Sequence, residues 1–385
     1  MSIYSVLDIL GFLLAIYCIS HKGKNNNKAC MMFLFLWGII VGLRGYGVGN
    51  DTSGYTYFYS GQVYPSLVFT NYGTLDLPAD EIEMGFVILS RILALISTSP
   101  TFFFLIVSFL FFFTIYHFYK DNKFGIICLL WLFTSTYSMM NIIYAVRQCF
   151  SLGILFGGII LLEQCLLKYQ NKLFCLKNII YDKILLLSLF LIFLSVFVHR
   201  TSAVAIVLYF MVRSVRINKS IAYTVVILSG CLSLFSLSLI QEYFDMFFIL
   251  MGDVSVNNFE TLSRLQDTMD ENHVSFLNLL SFILPCLVTI MYASKEEINS
   301  ISLKLYIAAI SLYSLFNSSP FMARFIVVFM ILGYPAAVPS IAYKNKKLMS
   351  FYLLMTVYYL YKMVNQYANW PVKISSDLPY MFFWE

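Results

Sequence analysis

The chain has 385 residues, of which 60% are apolar, 18% aromatic and only 12% charged, whereas soluble domains carry about 25% charged residues. This composition excludes an ordinary soluble globule and indicates a polytopic membrane protein. The net charge of +5 reflects the Lys and Arg excess of cytoplasmic loops, and no basic tract with interleaved aromatics points to a nucleic acid. Eight cysteines are scattered through apolar segments without a CxxC pair, as small apolar fillers are.

Crossing a bilayer takes about 20 mostly apolar residues. In chain order, the apolar runs predict twelve spans, near 3–20, 29–43, 101–119, 124–140, 148–167, 184–198, 202–213, 221–240, 275–293, 301–317, 321–342 and 348–364. The first run lacks a basic start and a small-residue cleavage site, and reads as a retained helix rather than a signal peptide. Threaded in alternation, these spans put fifteen of the seventeen Lys on one face, and six of the eight Arg (Arg44, Arg91, Arg147, Arg200, Arg264 and Arg324) on the other. By the positive-inside rule the Lys face is cytoplasmic and both termini lie outside.

The stretch from Glu83 to Thr98 would be a thirteenth span by hydropathy, but counting it would move every later Lys cluster outside. It is therefore expected as an interfacial or partly re-entrant helix on the outer surface. The outer segments 44–98 and 241–273 and the tail 365–385 carry fourteen of the twenty acids. The expected fold is all-α, a single polytopic membrane domain (1–385) with no internal repeat and no appended soluble domain.

Guanidinium presents a planar fork of donors to phosphate or carboxylate, whereas Lys is a point charge, so the Arg face is the expected anion site. Leaving the second span, the chain reads LRGYGVGNDTSGYTYFY, Leu43 to Tyr59. Gly45, Gly47 and Gly49 disfavour regular helix and let backbone N–H groups approach an anion or a sugar. Arg44 enters this turn and Asp51 leaves it. Tyr55, Tyr57 and Tyr59 follow, as sugar-stacking faces or as part of an interfacial aromatic belt. In NIIYAVRQ, Asn141 to Gln148, Arg147 stands at the mouth of an apolar helix, which is costly unless it pairs, snorkels or lines a wet cavity.

VHRTS, Val198 to Ser202, joins two spans at the same face. His199 is a candidate general base and Arg200 beside it a candidate anion contact. NSSPFMAR, Asn317 to Arg324, starts a helix at Pro320 with Arg324 one turn inside. Asp80 and Glu81 form a paired acid that either binds a divalent metal or is merely solvated, and Gln241 to His273 is either a lid over a carbohydrate or a solvated connection. There is no Walker motif, HExxH, GxSxG or GxGxxG after a strand, so no nucleotide, nicotinamide or tightly held metal is expected.

These stretches together resemble the EpsG-type branch of the Wzy O-antigen and capsule polymerases. The resemblance rests on LRGYGVGNDTSGY, on Glu83 with the Gly85–Phe86 pair after it, on NIIYAVRQ, HRTS, the turn carrying Arg324 and LPY (Leu378 to Tyr380), in that order over nearly the whole chain. Asn50 stands where Thr is common and Cys149 follows the Arg–Gln pair. The resemblance implies a polymerase of undecaprenyl-diphosphate-linked oligosaccharide at the outer leaflet of the bacterial inner membrane. The growing glycan would leave its lipid diphosphate and join a hydroxyl of a new repeat unit, with inversion and without cofactor or metal.

On that reading Arg44, Arg147, Arg200 and Arg324 contact the diphosphate, His199 or Asp51 takes the acceptor proton, and Tyr55, Tyr57, Glu83 and Gln148 contact sugar. A chain-length regulator and a flippase are the implied protein partners. The competing readings are a flippase or transporter of lipid-linked saccharide, which calls for midplane polar residues and an internal repeat, and an O-antigen ligase, which would differ in acceptor.

Overall fold

The computed structural model describes residues 3–45, 52–63, 82–120, 125–135, 145–169, 182–234, 276–315, 328–329, 331, 341 and 344–368. These residues form α1 (Ile3–Ser20), α2 (Asn26–Gly42), α3 (Thr52–Val63), α4 (Met84–Ile96), α5 (Pro100–Tyr119), α6 (Gly125–Ser135), α7 (Val146–Tyr169), α8 (Lys183–Val198), α9 (Thr201–Ser214), α10 (Lys219–Leu234), α11 (Phe276–Tyr292), α12 (Ile301–Leu315) and α13 (Lys346–Ala368). A 3-10 turn at Glu297–Asn299 joins α11 to α12, and no strand occurs among the described residues. Most of the expected span 321–342 and the tail after Ala368 lie outside them.

Among the described residues two helices, Pro100–Tyr119 and Val146–Leu167, are long and apolar enough to cross a bilayer, and nine more are apolar but shorter. α8 presents Ile184, Leu186, Leu187, Phe190, Phe193 and Phe197 at its exposed face. So continuous an apolar surface suits hydrocarbon rather than water. The fold is that of a helical membrane protein.

Side-chain contacts set the helix directions. α5 runs antiparallel to α2, because Gly38 faces Phe109 and Gly42 faces Leu105. α7 runs parallel to α5, with Phe150 edge-on to Phe103 and Phe156 stacked on Phe111. α8 returns antiparallel to α7: Ser151 Oγ donates to the Ser195 carbonyl at 2.7 Å and Ser188 Oγ to the Gly158 carbonyl at 2.9 Å. A Cβ on Gly158 would sit 3.1 Å from the Ser188 carbonyl oxygen, so the glycine permits the close backbone approach that membrane helices use in place of a hydrophobic driving force.

Gly42, Pro100, Val146 and Val198 therefore share one end of the bundle, and Asn26, Tyr119 and Lys183 share the other. At the second end the Asn26 side chain ties α5 to α6, donating to the Tyr119 carbonyl at 3.4 Å and accepting from the Ile126 N–H at 2.9 Å. Lys304 is buried there and donates to the carbonyls of Arg213 and Val215, both at 2.8 Å, which closes the C-terminus of α9. Lys344 pairs with Glu297 at 2.8 Å. This is the lysine end foreseen from the loop charges.

α4 does not cross the bundle. Glu83, just before it, contacts Arg147 at the start of α7, and three residues after Ile96 the chain begins α5 at Pro100. Both ends of α4 thus lie at the end opposite the lysines. Its 13 residues extend about 20 Å, short of the ~30 Å hydrocarbon core. It buries Gly85, Phe86 and Ser90 and exposes Met84, Ile88, Ile92, Leu95 and Ile96, with Leu95 88% accessible. Its apolar exposure is thus one-sided.

α3 has no counterpart among the expected elements. Residues 46–51, with Gly47 and Gly49, lie outside the described residues, and from Thr52 the chain is helical. Thr52, Tyr55, Phe58 and Tyr59 fall on one helical face and are buried, with Phe58 stacked on Phe86 and Tyr59 on Phe103. Tyr59 Oη donates to the Ser97 carbonyl at 2.7 Å. Burial of this face offsets the helix cost of Gly54 and Gly61.

Candidate active site

At the end opposite the lysines, four elements bring their termini together. Arg147 lies in the first turn of α7, His199 follows the last residue of α8, Tyr55 is in the first turn of α3, and Glu83 immediately precedes α4. The seating of α4 depends on Gly85, where a Cβ would stand 2.5 Å from the Phe197 carbonyl oxygen. Beneath the site, Ser151 of α7 also shares a hydrogen bond with Ser202 of α9, so one serine ties together the three helices that carry Arg147, His199 and Arg200.

Glu83 is the hub. Its Oε2 accepts from Arg147 Nη1 at 2.8 Å, and its Oε1 is 2.9 Å from His199 Nδ1. The Arg200 backbone N–H reaches the same Oε1 at 3.4 Å. Arg147 Nε donates to Tyr55 Oη at 2.8 Å. Burial disfavours the charged carboxylate, but the His199 hydrogen bond and the charges of His199 and Arg147 outweigh it and hold Glu83 down at about 2. The carboxylate is ionised at any physiological pH.

The four arginines expected to contact the diphosphate differ in placement. Arg44 is 3% accessible, its guanidinium 4.8 Å over the Phe104 ring, a cation–π contact at the end of α2. Arg147 is half-buried and engages Glu83 and Tyr55 through two of its five N–H groups. Arg200 is exposed, at the N-terminus of α9. Arg324 lies outside the described residues, as do Asp51, Asp80, Glu81, Asn141 to Tyr144 and Gln241 to His273.

Of the four residues expected to contact sugar, Tyr55 is buried against Phe86 and bound by Arg147, while Tyr57 is 49% accessible on the opposite face of α3. Gln148 is buried and its Oε1 accepts no hydrogen bond among the described residues. Glu83 sits between the base candidate and Arg147 rather than standing alone. The signal for its pairing was present in the sequence: an Arg at the mouth of an apolar helix needs a carboxylate, and Glu83 opens an apolar stretch at the same face. Among the described residues no three of His, Cys, Asp and Glu gather as metal ligands.

A helical membrane bundle with carboxylate, imidazole and guanidinium gathered at one end defines a membrane protein with a polar site at a single face. Residues 28–380 match the EpsG family. The chain therefore belongs to that family, a group of Wzy-like polymerases. No curated protein and no solved structure matches it.

Proposed function

We propose that the protein is a glycosyltransferase that polymerises undecaprenyl-diphosphate-linked oligosaccharide repeat units into a surface polysaccharide, O-antigen, capsule or exopolysaccharide, at the outer leaflet of the bacterial inner membrane. The observation that carries this reading is the joint placement of the buried Glu83–His199 pair and the exposed Arg200, whose backbone N–H reaches Glu83 at 3.4 Å, at the end opposite the lysines. It joins a proton acceptor to a cation in the residues through which the chain resembles its family.

In the reaction the acceptor sugar's hydroxyl gives its proton to His199 as the oxygen attacks the anomeric carbon of the growing glycan. The bond from that carbon to the diphosphate breaks, and the lipid diphosphate leaves with the electron pair. Its anionic oxygens meet Arg200 and the N-terminus of α9, with Arg324 as a further contact. The leaving group is already activated, so neither nucleotide nor metal is required. Single displacement inverts the anomeric centre. Tyr57, exposed on α3, and Gln148, with an unused acceptor, are the proposed sugar contacts.

Purified protein in nanodiscs, given the lipid-diphosphate-linked repeat unit alone, should yield a ladder of products on a gel, and His199→Ala should abolish it. Unchanged substrate together with transbilayer movement in liposomes would replace the polymerase reading with a flippase.

A further inference from the structure

Glu83 makes more contacts than a sugar ligand would. An ionised carboxylate has no proton to give and can only accept hydrogen bonds. His199 Nδ1, 2.9 Å from Oε1, must therefore carry the proton of that bond. A neutral imidazole with its proton on Nδ1 has its lone pair on Nε2, and Nε2 makes no hydrogen bond among the described residues. Glu83 thus fixes both the orientation of the ring and the nitrogen that can act as a base.

The second oxygen has a separate consequence. Arg147 binds Oε2 at 2.8 Å with Nη1 and Tyr55 with Nε, and the side chains of Arg147 and Glu83 are only 17% and 8% accessible. A guanidinium so placed is neutralised by its own carboxylate before any substrate arrives. It keeps Glu83 ionised and in place, whereas Arg200, beside His199, is an exposed cation.

We propose that Glu83 is the positioning residue of this site, holding His199 in its Nδ1–H form with Nε2 facing the acceptor hydroxyl, and that Arg147 acts through Glu83 rather than on the substrate anion. The destination of the proton rests on the polymerase reading; the tautomer and the Arg147–Glu83 coupling do not.

The test has two parts. In protein labelled with 15N-histidine, spectra taken above the imidazolium's own titration endpoint and without substrate report which nitrogen of each ring is protonated, with His199→Ala identifying the signal. The expected result is protonated Nδ1 and bare Nε2; protonated Nε2 would overturn the proposal, whatever the protein's activity. In the polymerase assay, Glu83→Gln should lower kcat about 10²–10⁴-fold, the range for losing a correctly held base, with KM for the lipid-linked substrate little changed. Arg147→Met should do the same, and the double variant should be no worse than either single one. A raised KM in Arg147→Met with kcat retained, or additive losses, would place Arg147 directly on the anion and sink that half of the proposal. Should Glu83→Gln not fold, the wild-type spectra still decide the tautomer and Arg147→Lys decides the split: retained kcat with raised KM counts against the proposal, lowered kcat with KM unchanged counts for it.

Discussion

At the lysine end, Arg213 binds Glu163 and Tyr209, and the Lys304 ammonium lies on two backbone carbonyls. These charged groups close a helix end or crosslink neighbouring helices, and α7, α9 and α12 are tied together as a result. At the opposite end Glu83, Arg147 and Tyr55 are similarly engaged, but the arrangement stops short of completion: among the described residues His199 Nε2 makes no hydrogen bond, and Arg200 is exposed. Saturated polar groups in a membrane protein hold helices together, whereas groups with leftover capacity are set out for something else to complete.

The largest effect that separates the two ends is expected from His199→Ala. Polymer formation per folded molecule should fall about 10²–10⁴-fold, alongside a lowered melting temperature because the buried Glu83 Oε1 loses its His199 partner. Lowered melting with unchanged turnover per folded molecule would make His199 a structural residue like those at the lysine end.

Gly85→Ala should come next. Its Cβ would meet the Phe197 carbonyl at 2.5 Å, backbone against backbone, so α4 must lift from α8 and carry Glu83 with it. A displacement of about 1 Å costs on the order of 100-fold in rate when it misplaces a catalytic group. Activity should fall by that order in a protein that still purifies as a folded species, and unchanged activity would show that the exact seat of α4 does not matter.

The converse perturbation is Arg213→Ala. It leaves Glu163 with Tyr209 alone, in a pair about one third exposed on each side, which lies between the limits for surface and buried ion pairs and argues for a loss of about 1–2 kcal/mol of stability. Melting should drop by several degrees with turnover per folded molecule unchanged. Lost turnover at unchanged melting would show the lysine end to be part of the reaction.

Much of this contrast was legible in the sequence. Loop charges give an expected alternation of the helices, and the clash between hydropathy and charge at Glu83 to Thr98 sets that stretch apart as an expected interfacial helix, because moving it into the bilayer would invert every later lysine. The three charged positions Glu83, Arg147 and His199 could also be assigned to one face. Their bonding could not, since it depends on where α4 docks, and that is set by Gly85 against the Phe197 backbone and by Phe86 among Phe58, Phe103 and Phe150. α3 was obscured for a related reason. Its glycines argue against helix locally, and only the tertiary burial of Tyr55, Phe58 and Tyr59 overrides that preference. The Glu163–Arg213 pair was unforeseen because its members are 50 residues apart, and helical periodicity relates only near neighbours.

The smallest expected effect is one of pH, and it tests whether Glu83 is as firmly ionised as its partners require. The groups facing it are Arg147 from α7, His199 from the end of α8 and the Arg200 N–H from α9. A carboxyl held at about 2 instead of 4.5 contributes stability that is fully present above 4.5 and is lost as pH falls towards 2, because only then does the folded protein take up the proton that the unfolded chain already binds. The part of the melting difference between wild type and Glu83→Gln that comes from the carboxylate's own proton should therefore be lost only between about 4.5 and 2. A difference that changed within pH 5–8 with the titration of Glu83 itself would mean that the carboxylate shares its proton with His199 in the working range. The imidazole would then no longer be held in a single form, and the open end of the bundle would lose its defined base.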